Sequence, residues 1–210
     1  MLPRKTQLSR PEPRHYPLGA NNPNVITIVS GLPRSGTSLM MQMLAAGGMP
    51  ILSDGGRAPD PDNPRGYYEW ERIKQLPKDP ACIDEAENKT VKVISQLLFA
   101  LPTDRNYKVI FMERPLPEVV ASQAEMIRRR GTSGAPLSDA ALIAGLQAYL
   151  NQLNAWLQRR PEIALLRLPY HQVLRDPGAA SQLVRQFLEL PLATESMAAQ
   201  VDQALYRHRT

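Results

Sequence analysis

Two rhythms of apolar positions alternate along the chain. The first is short and β-branched: Val25–Ser30, Thr90–Ile94, Tyr107–Met112 and Ile163–Leu168 each read as a strand, and Tyr107–Met112, apolar on both faces, reads as a buried parallel one. The second has helical spacing. It predicts a helix over Thr37–Ala46 that ends at Gly47-Gly48, and another that opens at Pro117 and runs to about Arg130. A long helix capped by Ser138 carries Leu142, Leu146, Tyr149, Leu150, Leu153, Trp156 and Leu157 at helical spacing, and closes at Arg159-Arg160-Pro161. Asp176-Pro177 starts a further helix over Gly178–Leu190, with Leu183, Val184, Phe187 and Leu188 inward, and a last helix spans about Thr194 to Leu205. Strands separated by helices predict an α/β fold of three layers, a central parallel sheet flanked by helices.

Other stretches break both rhythms. Residues 53–80 are dense in Asp, Gly and Pro, and prolines at 59, 61, 64, 77 and 80 exclude a long regular element. A loop of this length inside a compact domain points to function or movement. Residues 131–136 read as a hinge or loop. Residues 1–24 read as an extended or disordered arm, with Arg4, Lys5, Arg10 and Arg14 against Glu12, and 25–210 as one domain.

Bulk properties narrow the class only modestly. The chain has 210 residues, 43% of them hydrophobic, which suits a globular domain with a real core. A net charge of +5 is too small to be a nucleic-acid signature and is compatible with a pocket for a multiply anionic ligand. The lone Cys82 and the scattered His15, His171 and His208 exclude a disulfide framework and show no metal-ligand spacing. No apolar run is long enough for a membrane span, and the first residues lack the apolar core of a secretory signal, so a cytoplasmic protein is expected.

The chemistry concentrates where the first strand meets the first helix. Gly31-Leu-Pro-Arg-Ser-Gly-Thr-Ser38 has the grammar of a phosphate-binding P-loop: strand, glycine loop, helix. Backbone N–H groups and the positive end of the helix converge there on one anion. Gly31 and Gly36 keep the spacing of the ATP/GTP loop, and Ser38 stands at its hydroxyl position. Thr37, however, replaces the lysine that reaches a triphosphate, and a cation appears earlier as Arg34. Arg114 follows the carboxyl end of the Tyr107–Met112 strand, where open α/β sheets bind ligands, and Ser122 lies eight residues on in the next helix. Both can face one phosphate. Taken alone, Arg114 reads better as a helix-capping ion-pair partner, and Ser122 as solvent-facing or bonded back to its own helix.

Together, P-R-S-G-T-S at 33–38 and R-P-L-P-E-V-V-A-S-Q at 114–123 resemble the sulfotransferase family. Residues 165–190 look like that family's later strand, turn and helix, with His171-Gln172 in place of Glu-Asp and Glu189 in place of a glycine. The Gly66–Glu69 segment is shared with small bacterial sulfotransferase-like proteins.

The resemblance implies in-line, metal-independent transfer of a sulfuryl group from 3′-phosphoadenosine-5′-phosphosulfate (PAPS) to a hydroxyl or amine, leaving 3′-phosphoadenosine-5′-phosphate. It implies that Arg34, Ser35, Gly36, Thr37 and Ser38 hold the 5′-phosphosulfate, with Arg34 also the catalytic cation of that motif, that Arg114 and Ser122 hold the 3′-phosphate, and that Lys92 acts near the transferred group, with Lys89 as a weaker choice. Sulfotransferases take their base from a histidine after the second strand or a glutamate in the loop after the first helix; that first segment holds no histidine here, so the resemblance implies Glu69 as the base by position, with Glu71 and Asp54 as rivals. Tyr67, Tyr68 and Trp70 could line an acceptor pocket, and Arg207 and Arg209 could reach the 3′-phosphate. Trp156 and Tyr149 read as core, and Arg128–Arg130 as a helix-terminal cluster. Two other readings share the fold: a P-loop kinase of a small metabolite, with Glu113 as its late-strand acid, and a nucleotide-binding protein without catalysis. The acceptor and the oligomeric state are not encoded legibly.

Overall fold

The computed structural model describes residues 25–55, 60, 66–129, 131 and 137–202. A five-stranded parallel sheet forms its centre, in the order β2-β3-β1-β4-β5. The strands are β1 (Val25–Gly31), β2 (Ile51–Leu52), β3 (Thr90–Lys92), β4 (Asn106–Glu113) and β5 (Ile163–Pro169). Helices α1 (Thr37–Ala46), α2 (Leu116–Arg129), α3 (Asp139–Leu157), α4 (Tyr170–Arg175), α5 (Pro177–Leu188) and α6 (Thr194–Ala198) connect and flank them. The fold is the α/β, helix-flanked parallel sheet that the alternating rhythms predict.

Strand alternation divides the core into two clusters, one per face. Along β4, Val109 and Phe111 join Ile26, Ile28 and Leu153, whereas Ile110 and Met112 join Val29, Met40 and Leu168. From β1 the chain runs to β2 and back to β3 on one side, then crosses to β4 and β5 on the other, which makes β1 the switch point where such sheets open a crevice.

Several local signals act as expected. Ser138 Oγ accepts from Ala141 N at the start of α3, and Asp176 Oδ1 accepts from Ala179 N at the start of α5. Elsewhere the structure corrects the sequence. The two-residue edge strand β2 lies just ahead of the Pro-rich region, which holds a short 3₁₀ helix at Glu71–Gln75, and two more follow at Pro80–Ala86 and Ser95–Ala100. The strand at Thr90 ends at Lys92 rather than Ile94, and the Tyr170 turn is the short helix α4. The last helix stops at Ala198, and 203–210 lie outside the described residues, as do 1–24, 56–59, 61–65, Arg130 and 132–136. Lys108, inside the apolar β4, is buried. Its Nζ donates to Leu188 O (2.9 Å) and Glu189 Oε2 (2.7 Å) at the end of α5. Glu189 thus takes the left-handed cap position usual for glycine (φ 59) with its carboxylate anchored by that amine.

Candidate functional site

The loop between β1 and α1 is shaped by what its glycines leave out. A methyl on Gly31 would lie 2.7 Å from Met112 O, and one on Gly36 would lie 2.7 Å from Cε2 of Tyr170 and closer still to Cδ2. Gly36 is also left-handed (φ 96), so it permits both the turn and the approach of the tyrosine. As N-cap of α1 it offers no side-chain acceptor, and the first turn holds no acid. The first intrahelical bond of α1 is Met40 N to Gly36 O (3.1 Å), so the N–H groups of Thr37, Ser38 and Leu39 precede the ladder. These donors and the helix dipole suit an anion. The Ser35 hydroxyl is buried with no hydrogen-bond partner among the described residues, a further polar group inside the cradle.

One flank of the loop joins the two sequence motifs. Arg34 has φ 72, which costs about 1–2 kcal/mol for a residue with a Cβ. It is held at both ends: its Nε donates to Ser122 Oγ (2.9 Å), and its carbonyl accepts from Arg114 Nη1 (3.0 Å). Arg114 also donates through Nε to Glu118 Oε2 (2.8 Å) and lies over the Tyr170 ring, 5.1 Å from its centroid. The helix ion pair that the sequence allowed for Arg114 therefore exists, while Ser122 is neither solvent-facing nor bonded back: it is buried and faces Arg34. Burial pushes the Tyr170 hydroxyl above its ordinary pKa, with Arg114 and Arg34 opposing.

The other flank gathers the remaining candidates. Lys92, at the carboxyl end of β3, is nearly buried. Its Nζ donates to the Tyr67 carbonyl, lies 3.4 Å from Ser38 Oγ and 3.8 Å from Glu69 Oε1, and sits 5.9 Å from the Tyr67 ring centroid. Glu69, separated from Lys92 by 23 positions, is placed by its own backbone: its carbonyl accepts from Ser53 Oγ (3.0 Å) and Asp54 N (3.2 Å) just beyond β2. The Tyr67 hydroxyl donates to Asp60 Oδ1 (2.6 Å).

The rivals are engaged elsewhere. Lys89 is exposed ahead of β3, away from the carboxyl ends of the strands. Glu71 pairs with Lys74 (2.6 Å) in solvent, and Asp54 Oδ2 accepts from Glu71 N (2.6 Å) to cap a 3₁₀ turn. Trp70 belongs to the core rather than to a pocket wall. Glu113 accepts from Arg167 Nη1 (2.8 Å). Trp156 and Tyr149 pack against Phe99, and Arg128 and Arg129 both pair with Glu125. Arg207 and Arg209 lie outside the described residues. Sequence reasoning missed Glu118 and the packing role of Tyr170; the four-residue spacing of Arg114 and Glu118 at a helix start was a usable signal for the first.

The sulfotransferase domain family matches residues 26–208. Among solved structures, the fold is similar to the sulfotransferase domain of the Synechococcus PCC 7002 olefin synthase, at 17% identity and a TM-score of 0.53, covering 95% of this chain and 89% of that one. It is also similar to the sulfotransferase domain from the curacin biosynthetic pathway, at 16% identity and a TM-score of 0.51, covering 87% of this chain and 89% of that one. No curated protein matches the chain by sequence. Among the described residues no helix is long and apolar enough to cross a membrane.

Proposed function

The chain belongs to the sulfotransferase family, and from that membership we propose that it transfers a sulfuryl group from PAPS to a hydroxyl or amine acceptor. The observation that carries this reading is the two-sided cradle. Arg34, Ser122 and Arg114 meet on one flank of the uncapped loop, and Lys92, Ser38 and Glu69 meet on the other. A donor with phosphate groups at both ends of its ribose calls for two separated cationic ends, whereas a triphosphate loop calls for the lysine that Thr37 replaces.

The bound donor supplies a sulfuryl group attached to a phosphate leaving group. Glu69 takes the proton of the attacking acceptor. Lys92 and the N–H groups of Thr37, Ser38 and Leu39 stabilise the charge that grows on the leaving phosphate as its bond to sulfur breaks. Arg114 and Ser122 hold the 3′-phosphate and so orient the donor. Arg34 and Ser35 complete the loop.

The test is turnover with PAPS over a panel of alcohol, phenol and amine acceptors. Glu69→Gln and Lys92→Ala are each expected to slow transfer by about a hundredfold or more while binding of 3′-phosphoadenosine-5′-phosphate persists. Turnover that neither change slows refutes the assigned roles. Binding without turnover in the wild type supports instead a nucleotide-binding protein that has lost the chemistry.

A further inference from the structure

Glu118 has no place in the transfer chemistry, yet it is an almost fully buried carboxylate beside an anion site, where a negative charge opposes ligand binding. Its position explains why it is tolerated. It lies in the first turn of α2, where the helix dipole favours an acid, and its Oε2 accepts from Arg114 Nε at 2.8 Å. Both side chains are at most 7% exposed. Arg114 is then fixed three ways: one edge by Glu118, Nη1 by the Arg34 carbonyl, and its face by the Tyr170 ring. A guanidinium held in this way cannot swing to solvent, so its orientation is set before any ligand arrives.

We propose that Glu118 is a positioning residue. It orients Arg114 so that the guanidinium discriminates a nucleotide carrying a 3′-phosphate from one that lacks it. This rests on the PAPS reading of the Arg114–Ser122 flank.

The proposal predicts an effect on selectivity rather than on binding in general. The probes are 3′-phosphoadenosine-5′-phosphate and adenosine 5′-phosphate, titrated calorimetrically into the full chain. Glu118→Asp keeps the charge but draws the carboxylate back by one methylene. It is expected to reduce the preference for the 3′-phosphorylated nucleotide about tenfold while leaving the affinity for adenosine 5′-phosphate within threefold. The isosteric Glu118→Gln retains an acceptor toward Arg114, and is expected to lose three- to fivefold in preference; it serves if the aspartate variant does not fold. In an Arg114→Gln background neither change should alter the ratio further. An unchanged ratio in the folded single variants overturns the proposal, as does a loss that persists at full size without Arg114. A wild type with no preference between the two nucleotides instead refutes the PAPS reading on which the proposal stands.

Discussion

Gly36→Ala isolates the contact on which the loop's shape depends. Two costs are expected. Placing a Cβ in the left-handed region costs about 1–2 kcal/mol. The methyl also lands 2.7 Å from Tyr170 Cε2 and nearer Cδ2, and the ring is held in the core with Arg114 over it, so the overlap adds roughly 1–3 kcal/mol of the kind seen on overpacking. The total is about 2–5 kcal/mol. Gly48 provides the control. It has nearly the same dihedral (φ +95, against +96) but nothing within 4 Å of an added methyl, so Gly48→Ala carries only the first cost. Urea unfolding of the two variants should therefore differ by about 1–3 kcal/mol. In a Tyr170→Ala background the excess should vanish and Gly36→Ala should cost what Gly48→Ala does. Calorimetry should show Gly36→Ala losing at least tenfold in affinity for 3′-phosphoadenosine-5′-phosphate, with Gly48→Ala unaffected at the far end of α1. Equal stability of the two alanine variants, or an excess that Tyr170→Ala does not relieve, refutes the reasoning.

Lys92→Ala should lower kcat by about 10²–10³-fold, the usual loss when a charge-stabilising donor is removed, with the affinity for the desulfated nucleotide measured by calorimetry changing far less. Glu69→Gln should lower kcat by about 10²–10⁴-fold, read as turnover at saturating donor. Arg114→Ala should weaken nucleotide binding and also destabilise the fold by about 3–5 kcal/mol, because the buried Glu118 carboxylate loses the guanidinium paired with it; denaturant melts read this directly. Arg105 bonds to Asp84 and holds its carboxyl below the ordinary range, so the pair's contribution is full above the unfolded value of about 3.9 and is lost as pH falls through the lower folded value. The stability difference between wild type and Asp84→Asn should accordingly be flat at neutral pH and close only in acid.

Much of this layout can be read from the chain, because its signals are local. The run Val25–Ser30, the loop glycines and the helix Thr37–Ala46 lie within one short segment, and the helix occurs with the predicted bounds. The caps of Ser138 and Asp176 are likewise decided by residues three positions away. Pairing across the sequence is a different matter. Glu69 and Lys92 approach because β2 and β3 are neighbours and Ser53 and Asp54 seize the Glu69 carbonyl, and no spacing announces that. Residues 71–75 and 80–86 form 3₁₀ turns where Pro77 and Pro80 obscure any helical period. Lys108 interrupts an apolar strand, and the partner that accounts for it, Glu189, is 81 positions away. Tyr170 matters because Gly36 lacks a side chain, a relation visible only in three dimensions.

The central claim is that the cradle takes a nucleotide phosphorylated at both ends of its ribose. Calorimetric titration with 3′-phosphoadenosine-5′-phosphate, beside ATP with magnesium, tests it most directly. Binding of the first that is tight in the wild type and weakened by both Arg114→Ala and Ser122→Ala is the predicted result. Binding of ATP with magnesium alone would contradict the account and favour a kinase built on the same fold.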